Sequence, residues 1–222
     1  MRVVLLLVCA CGRIAFDPVG QLALDDSGAE GMMPGDGSGM TGCIEPGAGT
    51  TFPGGPACST WGGNVTMINA SVSEASGTLS ITPNPNTAGA QGTCLKNNAA
   101  FGAGGAIVEV SAILDGNSLT GIQLGGGATA LSMVAQNGTL LAQDASGTKG
   151  MVAYNAATTR FWRIRPQSGV VFEYGDGTTW TQLGTSTQMP QATYNVTLIA
   201  GEITAVAMPG TARFESVNLC PP

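Results

Sequence analysis

Past residue 60 the chain is written in short alternating runs. Ala106–Leu114 sets Val108, Val110 and Ala112 on one face and Glu109 and Ser111 on the other, the period of a half-buried strand. Strand-like runs rich in β-branched residues follow the same logic at Asn64–Ala70, Thr78–Thr82, Leu119–Leu124, Thr129–Ala135, Thr139–Gln143, Met151–Tyr154, Tyr194–Ala200, Ile203–Met208 and Ala212–Leu219. Turn signals divide them: Asp115-Gly116-Asn117, Gly125-Gly126-Gly127, and Asn137-Gly138, a dipeptide favoured in two-residue hairpins. No stretch holds a sustained helical stripe. Many short runs with turns every ~8–12 residues predict an all-β sandwich or jelly roll.

The most informative segment is Arg160–Leu183, with two of the three tryptophans and three of the eight basic residues. Two strand-like runs meet around Pro166–Gly169, and Gly175-Asp176-Gly177 turns the chain into a third. Register matters because a slip of one residue moves every side chain to the opposite face. A four-residue loop would set Arg163 against Phe172 and Trp162 against Glu173, mixing charge with apolar bulk. A five-residue loop, Pro166–Val170, sets Arg163 against Glu173, Ile164 against Phe172 and Trp162 against Tyr174. Only the second separates a large apolar face from a charged one, and hairpin loops of about three to five residues are common.

The pattern Phe161-Trp162-Arg163-Ile164-Arg165, a short turn, Val171-Phe172-Glu173, then Asp176-Gly177 and Trp180 resembles a hairpin of concanavalin A-like lectin/glucanase domains, including laminin-G-like ones. Ser73–Pro83 looks like an early strand pair of such domains, and Ala212–Leu219 like their closing strand. The resemblance covers roughly residues 51–222. It implies an all-β, concanavalin-like jelly-roll sandwich of two antiparallel sheets, and carbohydrate binding. The glucanases of this group carry an acid-rich Glu-x-Asp-x-Glu strand, which this chain lacks. Its strand acids, Glu109, Glu173, Glu202 and Glu215, are isolated along the sequence.

Composition narrows the chemistry. Charged residues are 10% of the chain, against about 25% in an average soluble domain, and the net charge is −6. That balance excludes a nucleic-acid partner, which needs a basic patch. With no histidine, Ser-His-Asp and Cys-His catalysis and histidine metal sites are absent. There is no Cys-x-x-Cys and no phosphate-binding glycine loop ending in Lys-Ser/Thr. No cofactor is expected. Asp176, between glycines, is read as a turn residue, although loop acids ligate calcium in some relatives of the resembled fold.

The N-terminus reads as an export signal over residues 1–11, with Arg2 before the apolar Val3–Val8. Val8-Cys9-Ala10-Cys11-Gly12 resembles a bacterial lipobox, with Cys11 the better candidate for lipid attachment than Cys9; a plain cleaved signal is the alternative. The head Ala10–Asp17 looks like myxobacterial-type lipoprotein heads. Residues 12–50 form a Gly-, Asp- and Ser-rich tether too polar to build a core. Its Asp25, Asp26 and Asp36 do not match a twelve-residue calcium hand. The folded domain is expected over 51–222.

Once Cys9 and Cys11 are set aside, Cys43, Cys58, Cys94 and Cys220 remain. Four cysteines in an exported chain favour disulfides, with three pairings open. The resembled sandwiches, whose first and last strands lie close together, favour Cys58–Cys94 with Cys43–Cys220. Trp61 is expected to be buried beside Cys58.

The functional expectation is a non-enzymatic envelope lipoprotein, lipid-anchored at the outer membrane or cell surface, displaying a module that binds a polysaccharide or cell-surface glycan. A structural or protein-interaction lipoprotein without sugar affinity is the alternative, and a polysaccharide hydrolase ranks below both. Arg163, Arg165, Glu173 and Trp180 are the ligand-binding candidates. The plainer readings are a solvent-facing cross-strand ion pair for the first three and a core or edge plug for Trp180.

Overall fold

A computed structural model describes residues 52–59 and 63–219 of the chain. The first sheet uses β1 (Phe52–Gly55), β3 (Ala70–Pro83), β14 (Ala212–Leu219), β5 (Ala106–Ala112), β10 (Phe161–Gln167), β11 (Gly169–Gly175) and β12 (Trp180–Ser186), in that spatial order. The second uses β2 (Asn64–Ile68), β4 (Gln91–Ala100), β13 (Thr193–Glu202), β6 (Ser118–Leu124), β7 (Leu131–Gln136), β8 (Thr139–Asp144) and β9 (Gly147–Ala153). Every pairing is antiparallel. The expected all-β sandwich of two antiparallel sheets is the fold of the described residues.

The alternation read from sequence decides which faces meet. Leu79, Ile81, Val108, Val110, Trp162, Ile164, Phe172 and Phe214 from the first sheet are fully buried against Cys94, Ile122, Leu124, Leu131, Met133, Leu140 and Leu198 from the second. Burying one such side chain contributes about 1.5–3 kcal/mol, so this layer is the main source of stability. Trp162 keeps its polar end satisfied by donating from Nε1 to the Thr159 carbonyl at 2.6 Å. Tyr154 packs edge-on against Trp162 at 6.2 Å and donates its hydroxyl to the Val110 carbonyl.

The hairpin register is the one argued from face separation: Arg163 pairs with Glu173, Ile164 with Phe172 and Trp162 with Tyr174. The loop is shorter than expected. Pairing runs on through Pro166–Val170 to Gln167–Gly169, leaving Ser168 at the tip. Asn137-Gly138 joins β7 to β8 with φ of 49° and 70°, the left-handed pair that this turn needs.

Some elements differ from the sequence reading. Ser73–Pro83 is one bent strand rather than a pair: Ser76 and Gly77 have φ of 53° and 87°, so β3 meets β1 before the bend and β14 after it. Gln91–Ala100, whose Lys96-Asn97-Asn98 stretch hid its alternation, is a full strand between β2 and β13. Ile203–Met208 is not a strand. The Glu202 carboxylate accepts the Val206 N–H at 2.7 Å, and the Asn117 carbonyl accepts from Ile203 and Thr204, so bonds to a side chain and a loop replace a ladder.

Cys58 and Cys94 form a disulfide between a loop and β4, with Cα atoms 5.6 Å apart. Cys11, Cys43, Cys220 and Trp61 lie outside the described residues.

Candidate functional site

The outer face of the first sheet gathers three glutamates, Glu109, Glu173 and Glu215, and three arginines, Arg160, Arg163 and Arg165. Alternation along β5 turns Ile107, Glu109 and Ser111 outward while Val108 and Val110 enter the core. The same rule turns Arg163 and Arg165 of β10, Val171 and Glu173 of β11, and Ser216 and Asn218 of β14 to this side. A bulge between Phe214 and Ser216 inserts Glu215 as an extra residue opposite β5. Bulges of this kind re-aim a side chain, and here two consecutive residues, Glu215 and Ser216, both contact outward groups of β5.

Three glutamates hold distinct environments. Glu173 is shared by two arginines: Arg163 Nε donates to Oε2 at 2.6 Å, and Arg165 donates from Nε to Oε2 at 2.9 Å and from Nη2 to Oε1 at 3.0 Å. Burial works to raise the Glu173 pKa, but the hydrogen bonds from Arg165 and Arg163, with their charges, outweigh it and hold the carboxyl below its ordinary range. Glu109 accepts from Ser216 at 3.1 Å and pairs with Arg160 Nη2 at 2.6 Å. Glu215 accepts from the hydroxyls of Thr78, at 2.7 Å, and Ser111. Among the described residues it makes no ion pair. Ser111, which donates to Glu215, stands two positions beyond Glu109 on the same face of β5.

The sequence-derived candidates therefore come together with one change of setting. Arg163, Arg165 and Glu173 form a single cluster, but the pair is not solvent-facing: Glu173 is 7% exposed. Two arginines converge on it because a buried carboxylate needs full compensation. Trp180 is neither a core plug nor isolated. It begins β12 opposite Gly175, and the Arg163 guanidinium carbon lies 4.1 Å from its ring centroid, a cation–π contact. Asp176 stands apart in the turn, where its Oδ1 accepts the backbone N–H groups of Thr179 and Thr178 and both their hydroxyls, holding its pKa low. Glu202 is remote, buried at the end of β13 in the second sheet. Among the described residues no group of three or more His, Cys, Asp or Glu side chains is placed to hold a metal.

Arg160, Ser111 and the joining of Glu109 with Glu215 were not legible in the chain. Alternation gave the outward aim of Glu109 and Ser111. What it lacked was strand order: β14 and β10 flank β5 although they lie far from it in sequence.

No family model matches the chain, and no curated protein sequence matches it. Solved structures do. The apo form of a transglycosylase, Crh5, matches with a TM-score of 0.50 at 14% identity, covering 71% of this chain and 78% of its own. Crh5 transglycosylase in complex with NAG matches at 0.50 and 13%, covering 81% and 87%. A glycosyl hydrolase family 16 protein from Mycobacterium smegmatis matches more loosely, with a TM-score of 0.37, 16% identity and coverage of 69% and 90%. The fold is a concanavalin-like jelly roll. At these identities the likeness is one of fold, and it corrects one expectation. The sandwich led, by resemblance, to a non-enzymatic display module; Crh5 transglycosylase, which shares the fold, is an enzyme, so that expectation is withdrawn.

Proposed function

We propose that the outer face of the first sheet is the site of a carbohydrate-active enzyme that cleaves or transfers glycosidic bonds in a polysaccharide. The observation that carries this reading is the pairing of Glu109 with Glu215 on one face, in unlike surroundings. Glycoside chemistry uses two carboxyl groups flanking the bond, one to protonate the leaving oxygen and one to act as carboxylate. Unlike environments divide those roles. Glu215, which among the described residues accepts only from hydroxyls, is assigned as the proton donor. Glu109, bound to Arg160, is assigned as the carboxylate that attacks or activates water on the other side of the sugar. The Glu-x-Asp-x-Glu strand of the resembled glucanases is absent, so the two groups come from neighbouring strands, β5 and β14. Crh5 transglycosylase, solved also in complex with NAG, supports a carbohydrate substrate.

The test is release or transfer of sugar from a panel of polysaccharides by the wild type, Glu109→Gln and Glu215→Gln. Each variant should lose about 10²-fold or more of the rate, the scale of a general acid–base or nucleophilic group, while circular dichroism stays unchanged. No turnover by folded wild-type protein, or full activity in both variants, overturns the assignment.

The N-terminal pattern supports a further part of this reading, that the enzyme is exported and anchored through a lipid on Cys11. Mass spectrometry of the mature N-terminus should show a diacylglyceryl-modified Cys11; an unmodified residue overturns the anchor.

A further inference from the structure

The arginines stand more open to solvent on this face than the glutamates they pair with. Side-chain exposure is 40% for Arg160, 21% for Arg163 and 28% for Arg165, against 12% for Glu109 and 9% for Glu173. The carboxylates form a floor and the guanidinium groups lie above it. This placement stands out in a chain with a net charge of −6 and only eight basic residues.

Arg163 is the most constrained of the three. Its Nε is fixed by Glu173 at 2.6 Å and its plane is held near the Trp180 ring at 4.1 Å. Those contacts leave its two terminal nitrogens without a partner among the described residues. A guanidinium fixed at one edge and on one face, with its N–H fork free, is prepared for bidentate bonding to a planar carboxylate or a sulfate. Little side-chain freedom remains to be lost on binding, which favours affinity. Glu109, Glu173 and Glu215 offset the three arginines in net charge, so selectivity rests on the fork of Arg163, which the hydroxyls of a neutral glycan match less well than a carboxylate or sulfate.

We infer that the polysaccharide taken by this face is anionic, carrying carboxylate or sulfate groups, and that Arg163, held by Glu173 and Trp180, binds one of those groups. The inference rests on the proposed glycan site and adds its substrate class. Glu173 is then a positioning residue, setting the arginine plane while leaving its fork free.

The experiment measures binding of the whole protein to polygalacturonate, carrageenan and a neutral β-glucan by affinity electrophoresis and calorimetry at two salt concentrations. Affinity for one or both anionic polymers should exceed that for the neutral glucan by at least tenfold and fall with salt; the two anionic arms distinguish carboxylate from sulfate. Arg163→Ala should weaken anionic binding about tenfold or more, a clearly larger loss than any it causes for the neutral glucan. Arg163→Lys, which keeps the charge but loses the fork and the stacking, should recover only part of the loss. Circular dichroism confirms that each variant is folded. Equal affinity for neutral and anionic polymers, or unchanged anionic binding by folded Arg163→Ala, overturns the inference. Turnover of neutral glycans that is lost in Glu109→Gln and Glu215→Gln would leave the catalytic reading standing while this one falls; anionic binding with no turnover of any glycan would do the reverse.

Discussion

The two outer faces of the sandwich share one backbone architecture and carry opposite chemistry. On the first sheet, Glu109 and Glu173 are sunk to 9% and 7% exposure and tied to Arg160, Arg163 and Arg165. On the second sheet, the outward positions of β13, β6, β7 and β8 hold Thr197, Gln123, Ser132, Gln143 and other uncharged residues, and no acidic or basic side chain. A neutral face, on which hydroxyls and amides mix with Ile199, Val134 and Leu141, needs no charge compensation and stays in place at little cost. A face with recessed carboxylates must supply each with a cation and hold both in place, because an unpaired buried charge is expensive. Such an arrangement is retained where groups must be oriented. The contrast therefore points to the first sheet as the working surface.

The largest expected effect comes from separating β5 from β10, which aligns the Glu109 and Arg163 rows. Gly105, with φ of 73°, lies where an added Cβ would fall 2.1 Å from the Ile164 carbonyl oxygen. Gly105→Val should cost about 3 kcal/mol or more, since it adds left-handed strain to a backbone clash; denaturant unfolding measures it. Gly138 on the second sheet has a similar φ of 70° but open space, so Gly138→Ala should lose only about 1 kcal/mol.

Glu173→Ala comes next. It leaves Arg163 and Arg165 uncompensated, and because both reach solvent the loss should be about 2 kcal/mol, below the 3–5 of a fully buried pair. The sign with pH follows from the lowered Glu173 pKa. Its contribution is complete above the ordinary carboxylate value of 4.5 and disappears as the pH falls through the depressed folded value. Glu173→Gln should flatten the acid side of the stability–pH curve below that point. A curve with the same acid slope as wild type would mean that the cluster adds little. Asp144 also loses its contribution on acidification. Burial acts to raise its pKa, but bonds from Ser186, Ser146 and Lys149 outweigh it and hold the value at about 2, so its share is lost as the pH falls through that value.

The smallest effect should be on the neutral face. Thr197→Ala, at a half-buried outward position of β13, should stay within about 0.5 kcal/mol. A loss as large as that of Glu173→Ala would erase the distinction between the two faces.

Much of the first sheet's hairpin was legible because a period of two leaves few choices once large apolar and charged residues alternate. Trp162, Ile164 and Phe172 could share a face only in the register that also joins Arg163 to Glu173. Where that contrast weakens, the reading weakens. Gln91–Ala100 mixes polar side chains on both faces and escaped notice, while Ile203–Met208 looked like a strand although its backbone bonds to the Glu202 carboxylate and to loop residues Asn117 and Asn86. Of the candidate site, Arg163, Arg165 and Glu173 were visible because they belong to one hairpin. The union of Glu109, Arg160 and Glu215 was not, because no local pattern encodes that β14 lies beside β5.

The sequence by itself determined the all-β character, the inward and outward aim of residues along its clearest strands, and the hairpin register, all of which follow from side-chain periodicity over a few residues. Only the tertiary structure decided that β14, β5 and β10 adjoin, that a bulge places Glu215 and Ser216 against the outward groups of β5, and that the arginines rise above their carboxylates. Those features depend on strand order and burial, which arise when distant segments pack together and have no signature within any one of them.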